Sequence, residues 1–134
     1  MLKSVHISDY MLQKPVKVKP SDSIESAMQV IVDNKISGVC VVDESENLVG
    51  VLSEMDCLKA ILSAIYNDSN RVGQVSDFMS SDNLIVAHPD EDIVNIAQDM
   101  LNQNKRRRPV VRDGKLVGQI TCRQLLTAVA KFRN

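Results

Sequence analysis

The sequence predicts an α+β fold made of two copies of one βαββα unit, and three observations carry that prediction. Ser8-Asp9-Tyr10-Met11 returns as Ser76-Asp77-Phe78-Met79, 68 positions later. Further matches follow in unbroken order: Val16-Lys17-Val18 with Leu84-Ile85-Val86, Pro20 with Pro89, Cys40-Val41-Val42 with Pro109-Val110-Val111, and Leu48-Val49-Gly50 with Leu116-Val117-Gly118. Each copy also alternates short β-rich runs with stretches of helical period. The shift between copies moves from 68 to 69 and back, and both slips fall near turns, where an extra residue costs little.

Each copy opens with a short apolar strand, Val16 to Val18 or Leu84 to Val86, which runs into a proline-containing turn. Ser23 and Asp92 then stand where a helix N-cap belongs, able to accept from free backbone N–H groups. Ile24, Met28, Ile31 and Val32 recur at helical spacing in the first copy, as do Ile93, Ile96, Ala97, Met100 and Leu101 in the second. A hairpin follows, Val39 to Val42 with Leu48 to Leu52, and Val110-Val111 with Leu116 to Ile120. Its turn is Glu44 to Asn47 in one copy and Asp113-Gly114, a strong hairpin signal, in the other. The closing helices carry Met55, Leu58, Ile61, Leu62 and Ile65, and Leu125, Leu126, Val129 and Phe132. That apolar arc is broader than one sheet can cover, which predicts a homodimer through these helices.

One copy buries too little surface for comfortable stability. The expected architecture is therefore one domain over residues 1–134. Repeat 1 covers about 5–66, a polar linker about 67–73 and repeat 2 about 74–133, packed through their sheets with pseudo-two-fold symmetry. Paired clefts at such a seam are natural ligand sites.

Composition narrows the function. The chain has 134 residues, 44% apolar and 25% charged, as ordinary globular domains do. No apolar run reaches the roughly 18 residues of a membrane span, and Met1 to His6 lack the apolar stretch of a secretory signal. With three widely spaced cysteines, Cys40, Cys57 and Cys122, a cytoplasmic location follows by default. A net charge of −1 and 3% aromatic residues speak against a nucleic-acid partner. No catalytic triad, metal-ligand spacing, P-loop or dinucleotide fingerprint can be assembled, so an enzyme is not expected.

The order Asp-x-Met, apolar strand, proline turn, capped helix, Gly38-Val39-Cys40-Val41-Val42-Asp43 and Leu48-Val49-Gly50-Val51-Leu52-Ser53-Glu54-Met55-Asp56 resembles a tandem CBS-domain pair, or Bateman module. The resemblance runs from about Val5 to about Phe132. It implies a regulatory module binding an adenosine ligand: AMP, ADP, ATP, S-adenosylmethionine or a dinucleotide. It also implies dimerisation and an unidentified regulated protein. By the same resemblance, Ser53 meets a phosphate and Asp56 the ribose diol, while Val16, Ser37, Gly38 and Val39 are further candidates for nucleotide binding. In the second repeat Thr121 matches Ser53, but Gln124 replaces the carboxylate. Arg106 and Arg107 fall nearest the positions where related pairs meet phosphates.

Residue chemistry supports these roles without singling them out. An ionised carboxylate offers two acceptors to two vicinal hydroxyls, in charge-assisted hydrogen bonds. Yet Ser53-Glu-Met-Asp56 and Thr121-Cys-Arg-Gln124 are equally well read as capping boxes. Lys105-Arg106-Arg107-Arg108 reads as a phosphate cluster or as a solvated face. Gly38 suits either close approach of a flat base or a simple turn. The alternative function is a dimerisation scaffold with vestigial clefts.

Overall fold

The computed structural model describes residues 6–132. The stretch Met1 to Val5, where the family resemblance begins, and the two residues after Phe132 lie outside the described residues, as does the Phe132 side chain. The chain divides into two compact units. One runs Val16–Leu84; the other joins the described residues before Val16 to those after Leu84. The segment that opens each sequence repeat thus packs in the unit formed by the other repeat.

In the Val16–Leu84 unit, β1 (Lys17–Val18), β2 (Gly38–Val42) and β3 (Leu48–Ser53) form one sheet in that order. β1 is parallel to β2, with Lys17 opposite Cys40 and Val18 opposite Val41, and β3 is antiparallel to β2. Every residue of β2 is buried, as its unbroken apolar run requires for a central strand. Helix α1 (Ile24–Asp33) starts at Ser23, whose Oγ accepts from the Ser26 N–H at 3.0 Å. Helix α2 (Glu54–Tyr66) follows β3 directly, and the single turn α3 (Val75–Phe78) closes the unit. Val18, Ile24, Ala27, Ile31, Val39, Val41, Leu52, Cys57 and Ala60 form the core, with Met28 at its edge.

The other unit repeats the plan. Helix α4 (Ile93–Gln103) is capped by Asp92, whose Oδ1 accepts from Val94 N–H at 2.7 Å. β4 (Arg107–Arg112) and β5 (Lys115–Thr121) form the hairpin, and α5 (Cys122–Phe132) closes it. Asp113 and Gly114 both have positive φ, +53° and +83°, the primed turn their sequence asks for. Ile7, Ala87, Ile93, Ile96, Met100, Val110 and Ile120 make this core.

One expectation needs correction. Leu84 to Val86 form no strand. The residue that pairs is Ala87, bonded to Pro109 O and from Val111 N at 2.8 Å each. Val18 opposite Val41 and Ala87 opposite Val110 are both 69 apart, so the slip lies ahead of this element. Alanine, fully buried, was hidden from a search for large apolar residues; Ile85 is exposed. Val32 and Leu101 are also exposed, at 67% and 80%, because each lies on its helix's outer flank. On α2 the buried residues are Cys57 and Ala60, whereas Met55, Leu58, Leu62 and Ile65 face outward.

Candidate functional site

The end of β3 and the start of α2 meet the start of β2 at one corner of the Val16–Leu84 unit. Gly38 is paired with Ser53 across the ladder, and the Glu54 N–H donates to Ser37 O at 3.0 Å. Ser53 caps α2 reciprocally: its Oγ accepts from Asp56 N–H at 3.1 Å, and Asp56 Oδ2 accepts from Ser53 N–H at 2.9 Å. The capping reading is therefore realised. It uses only one carboxylate oxygen, however, and Oδ1 has no partner among the described residues. Ser53 and Asp56 are half-buried, Ser37 is exposed and Gly38 is buried. Val16 precedes the residue that pairs with Cys40, which brings it to the same end of the sheet. Val39 is brought there through its backbone alone, because its side chain is buried in the core.

The corresponding corner of the other unit has the same backbone and different chemistry. Arg107 is opposite Thr121, and Cys122 N–H donates to Arg106 O at 2.9 Å. Thr121 Oγ1 accepts from Gln124 N–H at 3.1 Å, while Gln124 Oε1 accepts from Thr121 N–H at 2.9 Å. Gln124 thus spends its only carbonyl oxygen on the cap and presents an amide where Asp56 presents a free carboxylate oxygen. Arg106 is exposed and Arg107 half-buried.

The four-residue basic run is neither uniformly solvated nor uniformly directed at this corner. β4 begins at Arg107, within the run. Arg108, 3% exposed, turns toward α4, where its Nη1 donates to Asp99 Oδ2 at 2.7 Å. Its Nε and Nη2 are buried without a protein partner. The Arg108 guanidinium, seconded by the Gln103 amide, holds the Asp99 carboxyl below its ordinary range. Repetition could have identified this pair: 69 positions earlier stand Val39 and Val30, both packed in or against the other core. Burial raises the Cys57 thiol above its ordinary value, with Asp56 and Glu54 adding to the effect.

A recess of about 460 Å³ lies at the α1 N-terminus, lined by Ser21, Ser23, Glu25, Arg71, Gly73 and Gln74. None of the residues that the sequence nominates line it. Among the described residues no group of three or more His, Cys, Asp or Glu is placed to hold a metal, and no helix is long and apolar enough to cross a membrane.

Comparison with known proteins places this geometry. The family model described as the CBS domain matches residues 7–63 and again 75–131. The chain is 35% identical over 118 residues to the inosine-5'-monophosphate dehydrogenase of Aquifex aeolicus, covering 87% of this chain and 23% of that one. The crystal structure of CBSX2 from Arabidopsis thaliana in complex with AMP is 29% identical, with a TM-score of 0.85 over 98% of this chain and 100% of that one. The CBS domain pair of protein MJ0100, in complex with 5-methylthioadenosine and S-adenosyl-L-methionine, is 25% identical with a TM-score of 0.77. It covers 96% of this chain and 98% of that one. The chain spans between 23% and 59% of the length of the first three curated relatives it matches.

Proposed function

The chain belongs to the CBS-domain family as a tandem pair, and from that premise we propose that it is a regulatory module whose Ser53–Asp56 corner takes the ribose of an adenosine ligand. The observation that carries this reading is Asp56. Its Oδ2 is spent on the helix cap, while Oδ1 has no partner among the described residues, in a helix whose Glu54 N–H reaches Ser37 O at the start of β2. A carboxylate already oriented by its cap receives a ribose hydroxyl without further ordering, which lowers the entropic cost of binding. Relatives crystallised with AMP or with S-adenosyl-L-methionine support the ligand class. Thr121, Arg106 and Arg107 supply a hydroxyl and cations at the second corner, which favours the phosphate end of a ligand over the ribose end.

Calorimetry and thermal shift with adenosine, AMP, ADP, ATP and S-adenosylmethionine test this. A ligand at one hundred times its Kd stabilises the fold by about 2.7 kcal/mol. Asp56→Ala removes most of that shift, and Gln124→Asp strengthens binding at the second corner. A wild-type protein unmoved by all five ligands overturns the proposal. It would leave the scaffold reading, which the fully formed cap at Ser53 favours.

The same proposal includes a homodimer. Met55, Leu58, Leu62 and Ile65 recur at three- and four-residue spacing and are all exposed, giving α2 one continuous apolar stripe. A second copy covers such a stripe symmetrically. Light scattering at tens of micromolar reads the mass, and a monomer would count against it. A cytoplasmic setting, favoured by three cysteines that form no disulfide, completes the proposal.

A further inference from the structure

In each unit the last strand is flanked by a short incoming segment that ends on a methionine. Met79–Ser80 runs along β3, where Ser80 and Val51 exchange both backbone hydrogen bonds at 2.9 and 3.0 Å. Met11–Leu12 runs along β5, where Leu12 and Gln119 do the same at 2.8 and 2.9 Å. Beneath each methionine is a glycine. A Cβ on Gly50 would meet Met79 Sδ at 2.7 Å and Ser80 O at 2.9 Å. A Cβ on Gly118 would meet Met11 Sδ at 2.5 Å and Leu12 O at 2.9 Å. The thioether therefore sits directly on the glycine backbone, and this lock is built twice, at positions 68 apart. Both methionines are half-buried, so neither residue is sealed from solvent. Each bridge is a single residue pair; ahead of it, Met79 N–H donates to Val75 O and Met11 N–H to Ile7 O, at 2.9 Å each.

We propose that Met11 and Met79 are oxidation sites whose conversion to the sulfoxide by a hydroperoxide releases these two segments from their strands. The sulfur lone pair attacks one oxygen of hydrogen peroxide; an S–O bond forms as the O–O bond breaks. The transferred oxygen gives its proton to the departing hydroxide, which leaves as water. Sulfur loses two electrons, and the peroxide gains them. The product is polar and larger than the thioether, and its close apolar seat on the glycine is weakened. The side chain swings out, and the bridge loses its anchor. Met100 is buried in the core and Met55 is exposed on α2, and neither is seated against a glycine, so neither has this consequence. The inference is independent of the nucleotide reading.

The test is peroxide treatment of the intact chain, with peptide mass mapping and amide exchange at Val51, Ser80, Leu12 and Gln119. Conversion of Met11 and Met79 should speed exchange at these amides at least about tenfold, and methionine sulfoxide reductases should restore it. The volume-conserving variant Met11→Leu/Met79→Leu should keep its protection through the same treatment. In the wild type, a peroxide dose that oxidises Met55 alone should leave the four amides unchanged, which keeps the test decisive if the variant folds poorly. Sulfoxide at both positions with unchanged exchange overturns the proposal. So does equal loss of protection in the leucine variant, or failure of either methionine to react at doses that fully convert Met55.

Discussion

Gly118→Ala is the substitution whose cost the coordinates specify most directly. The new methyl would lie 2.5 Å from Met11 Sδ and 2.9 Å from Leu12 O. The thioether can rotate away, at an overpacking cost of roughly 1–3 kcal/mol. The carbonyl cannot move without opening the Leu12–Gln119 bridge, whose two hydrogen bonds contribute about 1 kcal/mol each. Partial relief along both routes gives a loss of about 2–4 kcal/mol. At roughly 2.1 cal/mol/K per residue, a chain of 134 residues loses about 3–4 °C of Tm per kcal/mol, so the fall is about 7–14 °C. Calorimetric melting measures it, and exchange at the Leu12 amide shows whether the bridge has opened. Adding Met11→Ala should recover only the sulfur's part, because Leu12 O stays in the way. A Gly118→Ala protein melting within about 1 °C of wild type would refute the argument.

Two further outcomes are expected at the Asp99–Arg108 pair. Asp99→Val alone orphans a buried guanidinium and should lower Tm by several degrees. Asp99→Val/Arg108→Val restores the apolar pair found at Val30 and Val39 and should melt at or above wild type; a double variant as unstable as the single would show that the pair is not the liability. The second outcome concerns pH. Asp99 is held below its ordinary range in the folded state, first by Arg108 and then by Gln103. Its contribution is therefore present above the unfolded carboxyl pKa of about 3.9 and is lost as pH falls through the lower folded value. Asp99→Asn should flatten this part of the Tm profile below about pH 4, and parallel wild-type and variant profiles would contradict the assignment.

Much of the fold was legible because its signals are local or repeated. Ser23 and Asp92 cap where side-chain chemistry demands, Asp113-Gly114 turns where φ must be positive, and the matching order of motifs exposed the duplication. What escaped was set by tertiary packing. Ala87 carries no hydrophobic signal, yet its small side chain and its two backbone bonds to the strand of Pro109 and Val111 decide the register. Leu101 and Val32 satisfy a helical period that does not say which flank faces the sheet. Nor does sequence reveal that residues 7–12 pack in the unit built by the other repeat. Gly50 and Gly118 were visible as repeated glycines; their reason, a methionine laid across each, needed coordinates.

At the candidate site the limit was of another kind. Capping box and ribose carboxylate were weighed as rivals because both need a short acid three residues after a hydroxyl. Geometry removes the rivalry at Asp56 without choosing the ligand role. A carboxylate has two oxygens, the cap occupies Oδ2, and Oδ1 is left over. At Gln124 the rivalry is real, since the one carbonyl oxygen already accepts from Thr121 N–H. A helix N-cap followed by an acid can therefore hold its helix and a diol at once, whereas the amide has a single, uncharged oxygen to share between them. That asymmetry makes Gln124→Asp more informative than removal of Asp56. It adds a free oxygen to a corner whose cap is already in place, so any gain in ligand affinity reports that oxygen rather than a repaired helix.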